Sequence, residues 1–404
     1  MPTPDLRQFN TLLPEFRADP YPLYRQTRER FPIFWSEAEN AWVLTRHADA
    51  LAVFGNPRFL NAELGQIVGR MADALGQDLP GLFALFDALP FLRNPPAHKP
   101  GRHFLARVLA LRPLAAYEQE IAAIVQRLLA PLDRDGGMDL AIDYAERLPP
   151  LFMGGLFGLG ESESLFLART LSGVAATLDR GQPMRVYRQL NLRLMEAYEL
   201  LREEFAQRRR VPRDDGLSLM LALGEAEYAL GENQLAAHAV ALFLVGFETT
   251  AALIGNGLNL LLAHPGQRRQ IAAAPTLLDA AVEETARLEP PIQQTSRYAS
   301  EACPLAGHEI EAGQRVLLLI GAANRDPAAY PEPDRFRLDR QGPPNLTFGS
   351  GRHACLGTQI AKLEAKLAYA GILDRPGLRV RGGPPEWWPC QSQRRLKSLP
   401  VALA

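Results

Sequence analysis

The chain has 404 residues, enough to bury a large core. Lys and Arg number 44 against 45 Asp and Glu, so no global field marks a binder of nucleic acid or of an anionic membrane. The three cysteines, Cys303, Cys355 and Cys390, lie far apart, which excludes a disulfide scaffold and fits a reducing compartment.

In chain order, Met1-Pro2-Thr3-Pro4-Asp5-Leu6 has neither a basic segment nor a long apolar run, so a signal peptide is not expected and a cytoplasmic protein is. A strand-like run, Ala41-Trp42-Val43-Leu44-Thr45, follows the turn-rich stretch 37–40. Apolar residues at three- and four-residue spacing predict helices over 114–132, 190–205, 235–262, 277–288 and 357–373. Asn233 is the expected N-cap of the third. The richest apolar stretch, near 239–245, is broken by Gly246 and Glu248, short of the ~18 uninterrupted residues of a membrane span. A second strand is expected at 315–320 after Ala312-Gly313, and Pro and Gly punctuate 327–344 and 382–389. With no repeat and no linker-like shift in composition, the expectation is one domain, 1–404, mainly α with small β-sheets.

The segment Phe348-Gly349-Ser350-Gly351-Arg352-His353-Ala354-Cys355-Leu356-Gly357 reads as a cage for one thiolate. Glycines tolerate positive φ, so a tight loop can aim N–H groups at the sulfur. Such donors favour the charged thiolate, the form that ligates metal. Gly357, lacking a Cβ, lets the next helix lie close to a flat macrocycle.

This loop resembles the proximal loop of the cytochrome P-450 (haem-thiolate monooxygenase) family, soluble bacterial type. The resemblance implies that Cys355 is the axial ligand of a haem b (iron protoporphyrin IX), whose thiolate favours O–O cleavage. Phe348, Gly349, His353 and Gly357 would form its cofactor-binding shell. The run Val245-Gly246-Phe247-Glu248-Thr249-Thr250 resembles the family's distal-helix signature. There the helix opens to admit O2, and the Thr and the acid relay protons to the reacting oxygen, here Thr249 and Glu248. A glycine inside a helix costs roughly 1 kcal/mol against alanine, so Gly246 needs a packing or functional reason. Val245 stands where the family has a smaller alanine, which narrows the cavity.

Glu284-Thr285-Ala286-Arg287 resembles the family's structural E-x-x-R pair. Glu199–Arg202 and Glu332–Arg335 have the same spacing. The sequel selects the Glu284 copy: Glu289-Pro290-Pro291, Arg297, Ala323-Asn324-Arg325-Asp326-Pro327 and Pro333-Asp334-Arg335-Phe336 follow in family order. For the haem propionates the resemblance implies His98, Arg102, Arg297 and His353. Pro100 and Gly101 depart from the pattern, and a helix starting near Lys99 would accommodate them.

By the same resemblance, three segments line the substrate cavity. The loop before His98 is apolar and includes Phe83 and Phe86. The other two are unusually polar: Ile292 precedes Gln293, Gln294 and Thr295, and the C-terminal turn contains Gln391 and Gln393. Such a cavity suits a small molecule with an apolar body and a polar group. The implied activity is insertion of one atom of O2 into that molecule. Electrons would derive from NAD(P)H only indirectly, through a separate ferredoxin or flavodoxin with its reductase. The docking face would be a basic patch of Arg107, Arg112, Arg352, Lys362 and Lys366. No nucleic-acid or membrane partner is expected, and the protein is read as a monomer. A peroxide-driven enzyme and a non-catalytic haem-thiolate protein are the alternatives, and both tend to lose the acid–Thr pair retained here.

Overall fold

The computed structural model describes residues 9–11, 13, 16, 18–174, 179 and 182–403. It is mainly helical with small sheets, as expected, and divides into two compact units. The first comprises Met1–Asn61, Val125–Ala145 and Thr249–Ala404, the second Ala62–Ile124 and Glu146–Glu248.

The first unit is organised by a five-stranded sheet in the order Ile33–Ser36, Ala41–Leu44, Arg315–Leu319, Gln294–Ala299, Phe59–Leu60. Ala41–Leu44 runs parallel to Arg315–Leu319 with Trp42 opposite Val316, and Gln294–Ala299 runs antiparallel to it with Arg297 opposite Val316. Side chains alternate along a strand, so Val316 and Leu318 enter one core while Leu317 and Leu319 enter another. A strand covered on both faces reads as a continuous apolar run, which is why 315–320 lacks polar alternation. Cys303 lies in the first of these cores. The helix Thr358–Leu373 packs on Leu278–Leu288 in the same unit.

In the second unit the long helix Met184–Arg210 packs on Pro80–Ala88, Glu161–Leu171 and Gly216–Ala226. Fully buried Arg208 anchors its end, bonding Asp215 at 3.0 Å and the Gly158 carbonyl at 2.9 Å. The apolar segment before His98, expected as a loop, is instead the helix Pro80–Ala88 followed by a turn at Pro90–Leu92. Asn191 Oδ1 caps its first turn by accepting the Gly81 and Leu82 N–H groups at 2.8 and 3.2 Å.

The helix Glu232–Ala263 supplies residues to both units. It is long and apolar enough to cross a membrane by length and composition, but most of it is buried inside the protein. Asn233 is not its N-cap. The helix has already begun at Glu232, Gln234 Oε1 takes the Gly231 N–H at 2.9 Å, and Asn233 Oδ1 accepts from Arg202 at 3.0 Å.

Candidate active site

In the first unit, two glycines shape the loop that carries Cys355. Gly349 and Gly351 sit at φ 67° and 71°, where an L side chain is strained. At Gly351 a Cβ would also stand 2.7 Å from the Phe54 carbonyl oxygen. Asn324 fixes the loop's entrance: its Oδ1 accepts the Leu346 N–H at 2.8 Å and its Nδ2 donates to Thr347 Oγ1 at 3.0 Å. The Cys355 N–H closes the loop on the Phe348 carbonyl at 2.9 Å, and Cys355 itself is exposed.

Among the described residues no N–H group bonds the Cys355 sulfur, so the expected cage of donors is not closed. The amides of Leu356 and Gly357 find no acceptor among the described residues and remain open beside it. Thr358 then begins a helix, whose N-terminus favours negative charge. Gly357 has φ −85°, which any residue adopts, and a Cβ there would meet nothing within 4 Å. Its lack of a side chain leaves an uncovered face that the fold itself does not require.

Arg297 is 7% exposed, on the strand Gln294–Ala299. Its NH1 donates to the Ser296 carbonyl at 2.9 Å and to Thr295 Oγ1 at 3.4 Å, and its guanidinium lies over the Phe54 ring. No carboxylate pairs with it among the described residues. Burial, and then the like charge of Arg352, push it down to about 10. A buried cation lacking a counterion suits an arriving anion. His353 closes the short turn Gly351–His353, two residues before Cys355.

Behind the loop, Glu284 and Arg287 pair in a bidentate manner at 2.7 and 2.8 Å. Arg287 also bonds the carbonyls of Asn324 at 2.9 Å and Pro333 at 2.7 Å. A third member was missed from sequence: Arg340 Nε donates to both Glu284 oxygens at 2.8 Å. Farther along the same helix as Thr358, Glu364 is 1% exposed, and its Oε2 has no partner among the described residues. Burial pushes that carboxyl well above the usual carboxylate range.

The segment after Glu289-Pro290-Pro291 pairs with the C-terminal turn. Ile292 stands opposite Gln393, the Gln293 N–H meets the Ser392 carbonyl at 2.8 Å, and the Arg394 N–H meets the Pro291 carbonyl at 2.8 Å. Strand alternation puts Thr295 on the Arg297 face and Gln294 on the other. Gln294 is buried and turned to Thr11, where its Nε2 lies 3.5 Å from Oγ1 and where Gln391 Nε2 also donates. Thr11 in turn donates its N–H and Oγ1–H to Glu39 at 2.8 and 2.6 Å. Thr295, part of the same polar stretch, therefore shares a face with Arg297.

In the second unit the helix His98–Leu109 begins at His98, so Pro100 falls in its first turn and Arg102 lies one turn beyond His98. His98 is buried and Arg102 is half-buried. Gly246 has a packing reason: a Cβ would stand 2.8 Å from the Met153 sulfur. Glu248 is 2% exposed and accepts the Gly173 N–H at 2.8 Å. Val245 is exposed, Phe86 is buried and Phe83 is half-buried. The next residue of the long helix, Thr249, is half-buried in the first unit.

The expected basic patch is largely neutralised. Arg107 pairs with Glu227, Arg112 lies 3.7 Å from Asp214, Lys362 pairs with Glu283, and Lys366 pairs with Asp279 at 2.9 Å. Each cation has a local carboxylate, so no bare cationic surface forms from these four. Exposed pairs of this kind contribute little, about 0–1 kcal/mol each.

These features together suit a flat cofactor with acidic side chains and a thiolate-ligated metal. Cys355 offers an exposed sulfur at a helix N-terminus, Gly357 an uncovered face, and Arg297 an unmatched positive charge.

Comparison with known proteins points the same way. A family model described as Cytochrome P450 matches residues 183–386. The chain is 30% identical over 398 residues to the biotin biosynthesis cytochrome P450 of Bacillus subtilis (strain 168), covering 98% of each. It is 32% identical over 395 residues to the vitamin D(3) 25-hydroxylase of Pseudonocardia autotrophica, covering 96% of this chain and 94% of that one. Among solved structures, CalO2 matches with a TM-score of 0.90 at 31% identity over 98% of both chains.

Proposed function

This chain belongs to the cytochrome P450 monooxygenase family, and from that premise we propose that it inserts one oxygen atom from O2 into an organic substrate with an apolar body and a polar group. We place one haem b on Cys355, with electrons delivered by a ferredoxin or flavodoxin and its reductase, in a single functional domain of bacterial cytoplasm. Bound haem supplies the redox and O–O bond chemistry.

The observation that carries this reading is the buried Arg297, without a carboxylate partner among the described residues, in the same unit as the exposed Cys355. In the proposal Cys355 serves as thiolate, favoured by the helix N-terminus at Thr358. Arg297, His353, His98 and Arg102 receive the two propionates, which removes the desolvation penalty on the Arg297 cation. Thr249 and Glu248 pass protons toward the reacting oxygen, work typically worth about 10²–10⁴-fold. Phe83, Phe86, Val245, Ile292 and Gln393 contact the substrate, and bulky Val245 favours slim substrates over broad ones. None of the three cysteines forms a disulfide, which accords with a cytoplasmic protein.

The test is turnover with NADPH, ferredoxin and reductase, using compounds first selected by a Soret shift and products identified by mass spectrometry. An oxygenated product supports the proposal. Equal turnover with hydrogen peroxide alone replaces it with the peroxide-driven reading. Ligand binding without turnover under either condition replaces it with the non-catalytic one.

A further inference from the structure

Asn256 is fully buried in the helix Glu232–Ala263, seven residues past Thr249 and so close to the same helical face. Asparagine is a poor helix former, and a buried amide is costly unless it is bonded. Here its Nδ2 donates to two carbonyls, Glu289 and Arg394, each at 3.0 Å. Those residues are also joined directly, by Arg394 Nε to Glu289 Oε2 at 2.7 Å. Tyr21 donates its hydroxyl to the same carboxylate oxygen at 2.8 Å, and the Arg394 guanidinium stacks over Trp387 at 3.7 Å.

The knot sits at the base of the paired segments described above. Pro290 and Pro291 follow Glu289 and have no N–H to donate, so this segment's own amides first join the pairing at Gln293, while the Pro291 carbonyl already accepts the Arg394 N–H. Side chains supplement that backbone bond at the base, and Asn256 ties the base to the helix carrying Thr249.

We infer that Asn256 is a positioning residue: it sets the space between the proton-relay helix and the segments carrying Ile292 and Gln393. This rests on the proposed reading that those two residues contact the substrate. Asn256 itself touches neither substrate nor reacting atoms.

The test uses the haem-loaded protein and two probes that need no knowledge of the substrate, imidazole and the bulkier 4-phenylimidazole, titrated by difference spectroscopy. Asn256→Ala is expected to change the ratio of their dissociation constants by about fivefold, with Asn256→Ser intermediate because it retains one donor. Imidazole affinity and the ferrous carbonyl spectrum should stay at parental values. Hydrogen exchange should quicken in peptides spanning 289–295 and 389–396, and not elsewhere in the helix Glu232–Ala263. Ile292→Ala and Gln393→Ala should also shift the ratio. If they shift it while both Asn256 variants leave it within about twofold, the inference falls and the cavity reading stands. If Ile292→Ala and Gln393→Ala leave it unchanged, the cavity reading falls and takes the inference with it. Failure of both Asn256 variants to fold also overturns it, in favour of a purely structural amide.

Discussion

Arg297 is buried beside Arg352 with no carboxylate paired to it among the described residues, an arrangement that costs the protein stability until an anion arrives. Its folded pKa, about 10, lies below the ordinary guanidinium value, so the penalty is fully present at pH 7 and fades as pH rises through 10. Arg297→Met, which keeps the packing on Phe54, should stabilise the haem-free protein at pH 7 by roughly 1–3 kcal/mol. The same variant should retain haem less well. Urea unfolding of the haem-free form and haem transfer to a scavenger measure the two effects; a haem-free variant less stable than the parent contradicts the argument.

The ligand assignment is tested at all three cysteines. Cys355→Ala should abolish the red-shifted Soret band of the ferrous carbonyl complex, because an axial thiolate produces it. Variants of Cys303, buried in a core, and of Cys390 should keep it. Retention of the thiolate spectrum in Cys355→Ala means the ligand lies elsewhere.

Proton delivery separates the two adjacent helix residues from the fold. Glu248→Gln preserves an acceptor for the Gly173 N–H, and Thr249→Ala removes only a half-buried hydroxyl, so both variants should load haem. Each is expected to consume NADPH while releasing hydrogen peroxide in place of product, with product formation falling by about 10²-fold or more. Unchanged coupling in both rules out the relay.

Glu364 gives a pH signature. Burial raises its folded pKa above the ordinary carboxylate value, so over the pH range between the two the folded chain binds more protons than the unfolded chain. Stability from this group is present at acid pH and is lost as pH rises above the ordinary carboxylate value. Glu364→Gln should therefore stabilise the protein by about 1–3 kcal/mol at pH 7, and the gain should vanish near pH 4. Denaturant midpoints at the two pH values check this; a gain independent of pH excludes ionisation as the cause.

Thr11 is the shared acceptor for two buried glutamines and is itself tied to Glu39. Thr11→Val should destabilise the fold by about 1–3 kcal/mol, the cost of unpaired buried amides. Gln294→Leu should leave substrate affinity nearly unchanged, whereas Thr295→Val, on the Arg297 face, should alter it. Thermal unfolding and Soret titration separate these outcomes, and a large loss of affinity in Gln294→Leu reverses the assignment of faces.

What could be read from the sequence divides along a physical line. Helices with a long apolar stripe were legible, and so was the Cys355 loop, because its glycines meet a local backbone demand that shows as a fixed pattern. Arg340 was hidden because it reaches Glu284 from 56 residues away, and the E-x-x-R spacing alone occurs three times. Which face of its strand Gln294 takes was hidden because a strand's orientation depends on its register with Arg315–Leu319, which composition does not encode. The helix Pro80–Ala88 was missed because its cap comes from Asn191, on a distant helix, rather than from its own flank.

Gly357 carries a last consequence. Its backbone suits any amino acid and nothing occupies the room a methyl group would take. Gly357 is also the N-cap of the helix that starts at Thr358, where glycine is preferred to alanine but serine or asparagine would serve the helix better. Selection for stability alone would therefore favour a capping side chain at this position. A library screened only for thermal tolerance should enrich Gly357→Ser or Gly357→Asn, and those variants are expected to retain haem less well.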